Sequence, residues 1–181
     1  AIVPAGPYGV MLPKCRGGGD AGVVSRYLTK LEAKNGIPQG LIRILPIVTE
    51  NGASIFGLGT YADPPLPRLC GLMWGGEDLA ADIGAIRNRG ADGLYTAPFR
   101  LARSLCLFGA AAASVIAIDA VYTDFRDSDG VRKEAEEGLR DGFSAKAAIH
   151  PDQVTPINAA FTPSAADIEW AKRVVAAFDA S

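Results

Sequence analysis

The sequence predicts an α/β fold built on a parallel sheet, and three observations carry that prediction. Short β-rich runs alternate with stretches of helical spacing along the whole chain. The runs are almost continuously apolar rather than alternating, as in Ile42-Arg43-Ile44-Leu45-Pro46-Ile47-Val48, which suits strands covered by helices on both faces. At 181 residues, with 49% apolar and 21% charged residues, the chain can bury one substantial core, and residues 1–181 are read as a single domain.

Five strands are expected, at Gly9–Pro13, Ile42–Val48, Leu69–Trp74, Val115–Tyr122 and Ser144–Ile149, each bounded by Gly, Pro or polar residues. Between the first two lies the plainest helix, Ala21–Lys34, with Val23, Val24, Tyr27, Leu28 and Leu31 as its stripe and Gly36 past its end. Thr96 with Pro98 opens a later helix, and the apolar stretch Leu105–Ile118 reads as buried helix followed by strand. Ser164-Ala165-Ala166-Asp167 has capping-box spacing ahead of Ile168, Trp170, Val174 and Val175. No internal repeat interrupts this order. Five parallel strands can form an open doubly wound sheet or part of a closed barrel, and an eight-stranded barrel usually needs at least about 200 residues.

Composition excludes several roles. The 18 basic and 20 acidic residues give a formal charge of −2, and no basic face is concentrated enough to track a nucleic-acid backbone. No apolar run reaches the length of a membrane span. Cys15, Cys70 and Cys106 are odd in number and widely spaced, which argues against a disulfide framework or zinc site and for a reducing cytoplasm. The first residues lack the basic region of a signal peptide.

In a parallel α/β domain the reactive groups sit past the carboxyl ends of the strands. Here those positions hold Lys14, Glu50, the Gly75-Gly76-Glu77-Asp78 turn, Asp124 and His150. Glu50 and Asp78 end consecutive strands, so their carboxylates could share one hard cation, for which Mg²⁺ is the natural candidate because it needs only one or two protein carboxylates. Each acid could equally cap the helix that follows it. The glycines before Asp78 permit backbone N–H groups to face an anion, or simply a tight turn. Arg16 and the glycines after it suit a phosphate contact or a flexible solvated loop, whereas Cys15 reads as a small packed residue because no base accompanies it. His150, the single histidine, reads as a strand-end hydrogen-bonding residue, and Trp74 and Phe125 as wall packing. Asp119, Tyr122, Asp124 and Arg126 are candidates for the mouth of the site or for a salt-bridged loop.

The words at these strands resemble one family. Gly9-Val10-Met11-Leu12-Pro13-Lys14, Ile47-Val48-Thr49-Glu50 and Gly71-Leu72-Met73-Trp74-Gly75-Gly76-Glu77-Asp78-Leu79 resemble successive strand motifs of the citrate lyase β-subunit-like family. Ile118-Asp119-Ala120-Val121-Tyr122-Thr123-Asp124-Phe125, Lys146-Ala147-Ala148-Ile149-His150-Pro151-Asp152-Gln153 and Phe161-Thr162-Pro163-Ser164 are similar to its later blocks, in the same order.

The resemblance implies a (β/α)₈ TIM barrel of which this chain supplies about strands four to eight. It implies Mg²⁺-dependent cleavage or formation of a carbon–carbon bond in a 3-hydroxy-acyl-CoA thioester of the malyl-, citramalyl- or citryl-CoA type, through an enolate. Glu50 and Asp78 fall on the family's metal ligands, and the backbone of Gly76, Glu77 and Asp78 falls where it holds the 2-oxo acid carboxylate; Lys14 and Asp124 join them at the substrate. The family's early-strand arginine and C-terminal lid aspartate have no counterpart here, Asp179 lying too early for the latter. Many relatives carry an acid after the position of Lys14, where this chain has Cys15-Arg16-Gly17-Gly18-Gly19. A homotrimer or hexamer is the implied assembly. An aldolase acting on free 2-oxo acids and a non-catalytic subunit are the alternatives.

Overall fold

The computed structural model describes residues 2–179. Five strands form inside the five expected runs, each shorter than its run: β1 (Gly9–Leu12), β2 (Arg43–Pro46), β3 (Gly71–Met73), β4 (Ile116–Asp119) and β5 (Ala145–Lys146). The helices are α1 (Gly18–Lys34), α2 (Gly52–Gly57), α3 (Glu77–Asp82), α4 (Ala97–Ala112), α5 (Ser128–Asp141), α6 (Val154–Phe161) and α7 (Ala165–Asp179).

All pairing is parallel. β1 runs beside β2, and β3, β4 and β5 follow one another in a second ladder. Parallel bridges from Ile44 to Leu69 and from Ile47 to Met73 join the two ladders. The bond from the Val48 N–H to the Met73 carbonyl, 2.8 Å, carries the join to the rim. The spatial order of the strands is therefore their chain order, with no reversal. Right-handed crossovers in such an order lay the helices that connect successive strands on the same side of the sheet. On that side Ile44, Leu72 and Ala117 are buried in the core with Leu28, Phe99, Cys106 and Ala110. The opposite side is a concavity of about 490 Å³ lined by Tyr8, Met11, Leu45, Ile116 and Ile118, where Met11 is 54% and Ile116 47% exposed.

Two expectations are corrected. The segment after Lys14 is not a loose loop: Gly18 begins α1, its N–H donating to the Thr60 hydroxyl at 2.8 Å. A Cβ on Gly18 would lie 2.1 Å from the Thr60 carbonyl oxygen, and one on Gly57 2.0 Å from that of Arg16, so only glycine permits this crossing. The α1 stripe is also displaced. Val23, Tyr27 and Leu31 are exposed, and the buried face is Gly18, Ala21, Leu28 and Glu32. Hydrophobicity misplaces that face because two of its members are small and one is charged. The capping box ahead of α7 is present, the Ser164 hydroxyl accepting from the Asp167 N–H at 3.1 Å and donating to its carboxylate at 2.6 Å.

Glu32 is fully buried and fully satisfied. Its carboxylate accepts from both terminal nitrogens of Arg68, from the Ile42 N–H at 2.8 Å and from the Gly40 N–H at 2.9 Å. The guanidinium and these two amides hold its pKa down at about 2. A second buried ionic group lies under the far end of the sheet. Asp119 accepts from Arg103 Nε and Nη2 at 3.1 and 3.2 Å and has Lys146 Nζ at 3.6 Å. Lys146 Nζ also donates to Glu134 at 2.7 Å, and Glu134 accepts from Arg89 at 2.6 Å.

Removing one partner of such a pair strands a charge in a dry interior. Arg68→Ala is expected to destabilise the protein by about 3–5 kcal/mol in denaturant unfolding. Because the folded pKa of Glu32 is depressed from 4.5, its contribution to stability is present above that value and is lost as pH falls toward about 2. Urea midpoints measured down the acid range should therefore fall more steeply for the parent than for Glu32→Gln.

Candidate active site

Three strand ends meet at one point on the rim. Lys14 follows β1, Glu50 follows β2 and Asp78 lies in the first turn of α3, just past β3. Lys14 has φ 58°, a left-handed conformation that a lysine adopts only under constraint. The conformation turns its backbone N–H onto the Glu50 carboxylate, while its ammonium reaches the Asp78 carboxylate at 2.5 Å. One residue thus touches both acids.

Glu50 is 9% exposed, and burial raises its pKa from the ordinary 4.5 against the pull of the Lys14 amide; the neighbouring Asp78 carboxylate raises it further. Asp78 moves the other way, held below its usual range first by the Lys14 ammonium. The two acids titrate as a pair in which Glu50 is the more easily protonated partner.

This donor set suits a hard divalent cation. Two neighbouring carboxylates, both held by Lys14, destabilise one another unless a proton or cation offsets their charge. The Lys14 and Asp78 side chains are 65% and 49% exposed, so water screens their ion pair and it does not bar a cation from Asp78. Among the described residues no third His, Cys, Asp or Glu joins the pair. That leaves most of an octahedral shell to water and substrate, as Mg²⁺ prefers.

The turn between β3 and α3 packs tightly on the pair. The Thr49 hydroxyl accepts from the Gly75 N–H at 2.8 Å and donates to the Gly75 carbonyl at 3.0 Å, tying the two strand ends together. A Cβ on Gly75 would lie 3.1 Å from Glu50 Cγ. Gly76 caps the N-terminus of α3, whose first-turn N–H groups have no carbonyl of their own helix to meet. Ile47, Met73, Ala120 and Val121 complete a recess of about 150 Å³ around Glu50 and Asp78.

The other candidates divide. Glu77 lines the recess, and its exposed side chain accepts from Asn88 at 2.7 Å. Asp124 lies outside the recess, its carboxylate accepting from the Arg126 N–H at 3.1 Å within its own turn. Asp119 is not at the mouth but fully buried in the ionic group behind the sheet. His150 Nδ1 accepts from the Asp152 N–H at 3.2 Å, so it caps the short 3₁₀ turn Pro151–Gln153 beyond β5 rather than ending the strand, and Phe125 stacks on its ring at 4.7 Å rather than packing a wall. Cys15 is buried, and burial pushes its thiol up to about 11, which keeps it in the protonated form and fits a packed residue.

Sequence reasoning missed the backbone of Lys14, because a φ angle leaves no mark on a lysine codon. It also missed Arg103 and Lys146 as partners of Asp119. A visible signal was available there: Asp119 and Lys146 are lone charges inside apolar strands, which calls for buried compensation.

The chain is similar to several known proteins. A citrate lyase subunit β-like protein of Mycobacterium tuberculosis is 38% identical over 131 residues, covering 72% of this chain and 46% of the relative. A (3S)-malyl-CoA thioesterase of Cereibacter sphaeroides is 44% identical over 117 residues, 62% of this chain and 38% of the relative. The chain therefore spans less than half the length of these relatives. The fold is similar to the crystal structure of the CitE protein of M. tuberculosis in complex with magnesium, acetoacetate and coenzyme A, with a TM-score of 0.71 and 32% identity over 96% of this chain and 58% of that one. Residues 1–151 match the model of the HpcH/HpaI aldolase/citrate lyase family, and the chain belongs to that family.

Proposed function

We propose that this chain carries the metal-binding side of a Mg²⁺-dependent carbon–carbon lyase that cleaves or forms a 3-hydroxy-acyl-CoA thioester of the malyl-, citramalyl- or citryl-CoA type. The observation that carries the proposal is the meeting of Glu50, Asp78 and both polar groups of Lys14 at one rim, in a member of this family. Strand order without reversal, helices on one side and an open apolar concavity on the other support the further reading that these are strands four to eight of a (β/α)₈ barrel. A cytoplasmic homotrimer or hexamer is the assembly proposed with it. Among the described residues no helix is long and apolar enough to cross a membrane.

In this proposal Glu50 and Asp78 hold Mg²⁺, which supplies Lewis-acid stabilisation of charge developing on substrate oxygen. The first-turn amides at Gly76, Glu77 and Asp78 receive the carboxylate of the 2-oxo acid portion. Thr49 and Gly75 keep that turn against Glu50, so the two anchors stay in register. With Mg²⁺ held by Asp78, the exposed Lys14 ammonium would be available to a substrate anion, and its backbone amide holds Glu50 in place. Ile47, Met73, Ala120 and Val121 give the recess an apolar wall beside the two carboxylates.

The test is release of 2-oxo acid from malyl-, citramalyl- and citryl-CoA by the full-length protein, with and without Mg²⁺. Turnover should require Mg²⁺, and Glu50→Ala should lower the rate about a hundredfold or more, the cost of several kcal/mol of charge stabilisation. Free hydroxy acid and CoA without 2-oxo acid would make the protein a thioesterase. Binding of Mg²⁺ and a free 2-oxo acid without turnover would favour the CoA-independent aldolase, and no binding the non-catalytic subunit.

Protons compete with the cation for Glu50. Because its pKa is raised, Mg²⁺ affinity measured by calorimetry should fall on acidification at a pH above the ordinary glutamate value of 4.5. Glu50→Gln should bind weakly at every pH and show no such step.

A further inference from the structure

We infer that Trp74 and Asp119 are positioning residues for the Glu50–Asp78 pair, acting through the turn at Gly75 and Gly76. Trp74 follows β3, is fully buried, and its backbone N–H donates to the Ile118 carbonyl at 3.3 Å. Its ring is the floor of the turn: a Cβ on Gly76 would meet ring atoms Cζ3 and Cη2 at 2.9 and 3.2 Å. Tyr95 meets the same ring edge-on, with centroids 4.9 Å apart, and would lie 3.7 Å from that Cβ. Gly76 therefore rests on two aromatic rings, and Gly75 beside it rests against Glu50 Cγ. A tilt of the indole moves both glycines, and with them Asp78.

One hydrogen bond fixes that tilt. Indole Nε1 donates to Asp119 Oδ1 at 2.5 Å, and Asp119 is itself immobilised by the paired donors of Arg103, the Ala120 N–H at 3.0 Å and Lys146. Asp119 has enough donors without the tryptophan. The indole N–H, sealed in the interior, has this one acceptor. The dependence thus runs from Asp119 to Trp74 to the turn, and the buried ionic group is the rigid base on which the rim is mounted.

The inference rests on the reading of Glu50 and Asp78 as metal ligands, and the test separates the two. The full-length protein is titrated by calorimetry with pyruvate, glyoxylate and oxaloacetate at saturating Mg²⁺, and its thermal midpoint is measured beside each titration. Trp74→Phe keeps a ring but loses the donor and part of the floor, and should raise the oxo acid dissociation constant roughly tenfold. Asp119→Asn keeps an acceptor for the indole but breaks the ion pairs; it should lower the thermal midpoint more than Trp74→Phe while weakening oxo acid binding less. Cys106→Ala, buried on α4 beneath β3, serves as a destabilised control that should bind as the parent does. That inverted order is what a merely structural role cannot give. Parent-like binding by Trp74→Phe, or losses of affinity that simply follow losses of stability across the three variants, would overturn the inference. A parent protein that binds no oxo acid with Mg²⁺ would sink the metal-site reading and this one with it.

Discussion

Parallel pairing in chain order is the constraint from which the rest of the molecule follows. Each strand lies beside its predecessor, so every carboxyl end opens on one rim, and residues 64 positions apart in sequence, such as Lys14 and Asp78, become hydrogen-bonded neighbours. The site is a property of the ladder before it is a property of any residue. The left-handed turn at Lys14, the glycine pair at Gly75 and Gly76 and the cross-strand bonds of Thr49 refine that convergence to hydrogen-bonding distances.

Charge is used differently on the two sides of the sheet. On the helix side it is buried and fully partnered: Glu32 with Arg68, and Asp119 with Arg103 and Lys146. Such pairs add little net stability over an apolar filling, yet they are costly to break, so they fix one arrangement of the elements they join. At the rim, charge is left unbalanced. Glu50 is pushed toward protonation and Asp78 away from it, the condition of two acids arranged for something other than each other.

Much of this was legible in the sequence. Five apolar runs separated by helical spacing gave the strands, and the polar residue after each run gave Lys14, Glu50 and Asp78, because burial and strand termination both leave marks in residue type. What was not legible depends on backbone geometry or long-range packing. The glycines after Lys14 look like a loose loop, since nothing in their vicinity announces that Thr60 passes within contact distance. The stripe on α1 was misplaced because Gly18, Ala21 and Glu32 bury for steric and ionic reasons that hydrophobicity does not record. Asp119 looked like a rim residue because its partners Arg103 and Lys146 lie on elements that only the fold brings near it.

Lys14 serves the site partly through an atom that every residue except proline possesses. Its side chain contributes the ammonium, but the contact with Glu50 is made by the main chain, and φ 58° is the condition for it. Replacement by asparagine or glycine would preserve that amide with less strain than the lysine itself carries, whereas a β-branched residue would withdraw it. Any residue that tolerates the left-handed turn would keep half of this role whatever its side-chain chemistry, and a comparison restricted to side chains would overlook the half that persists.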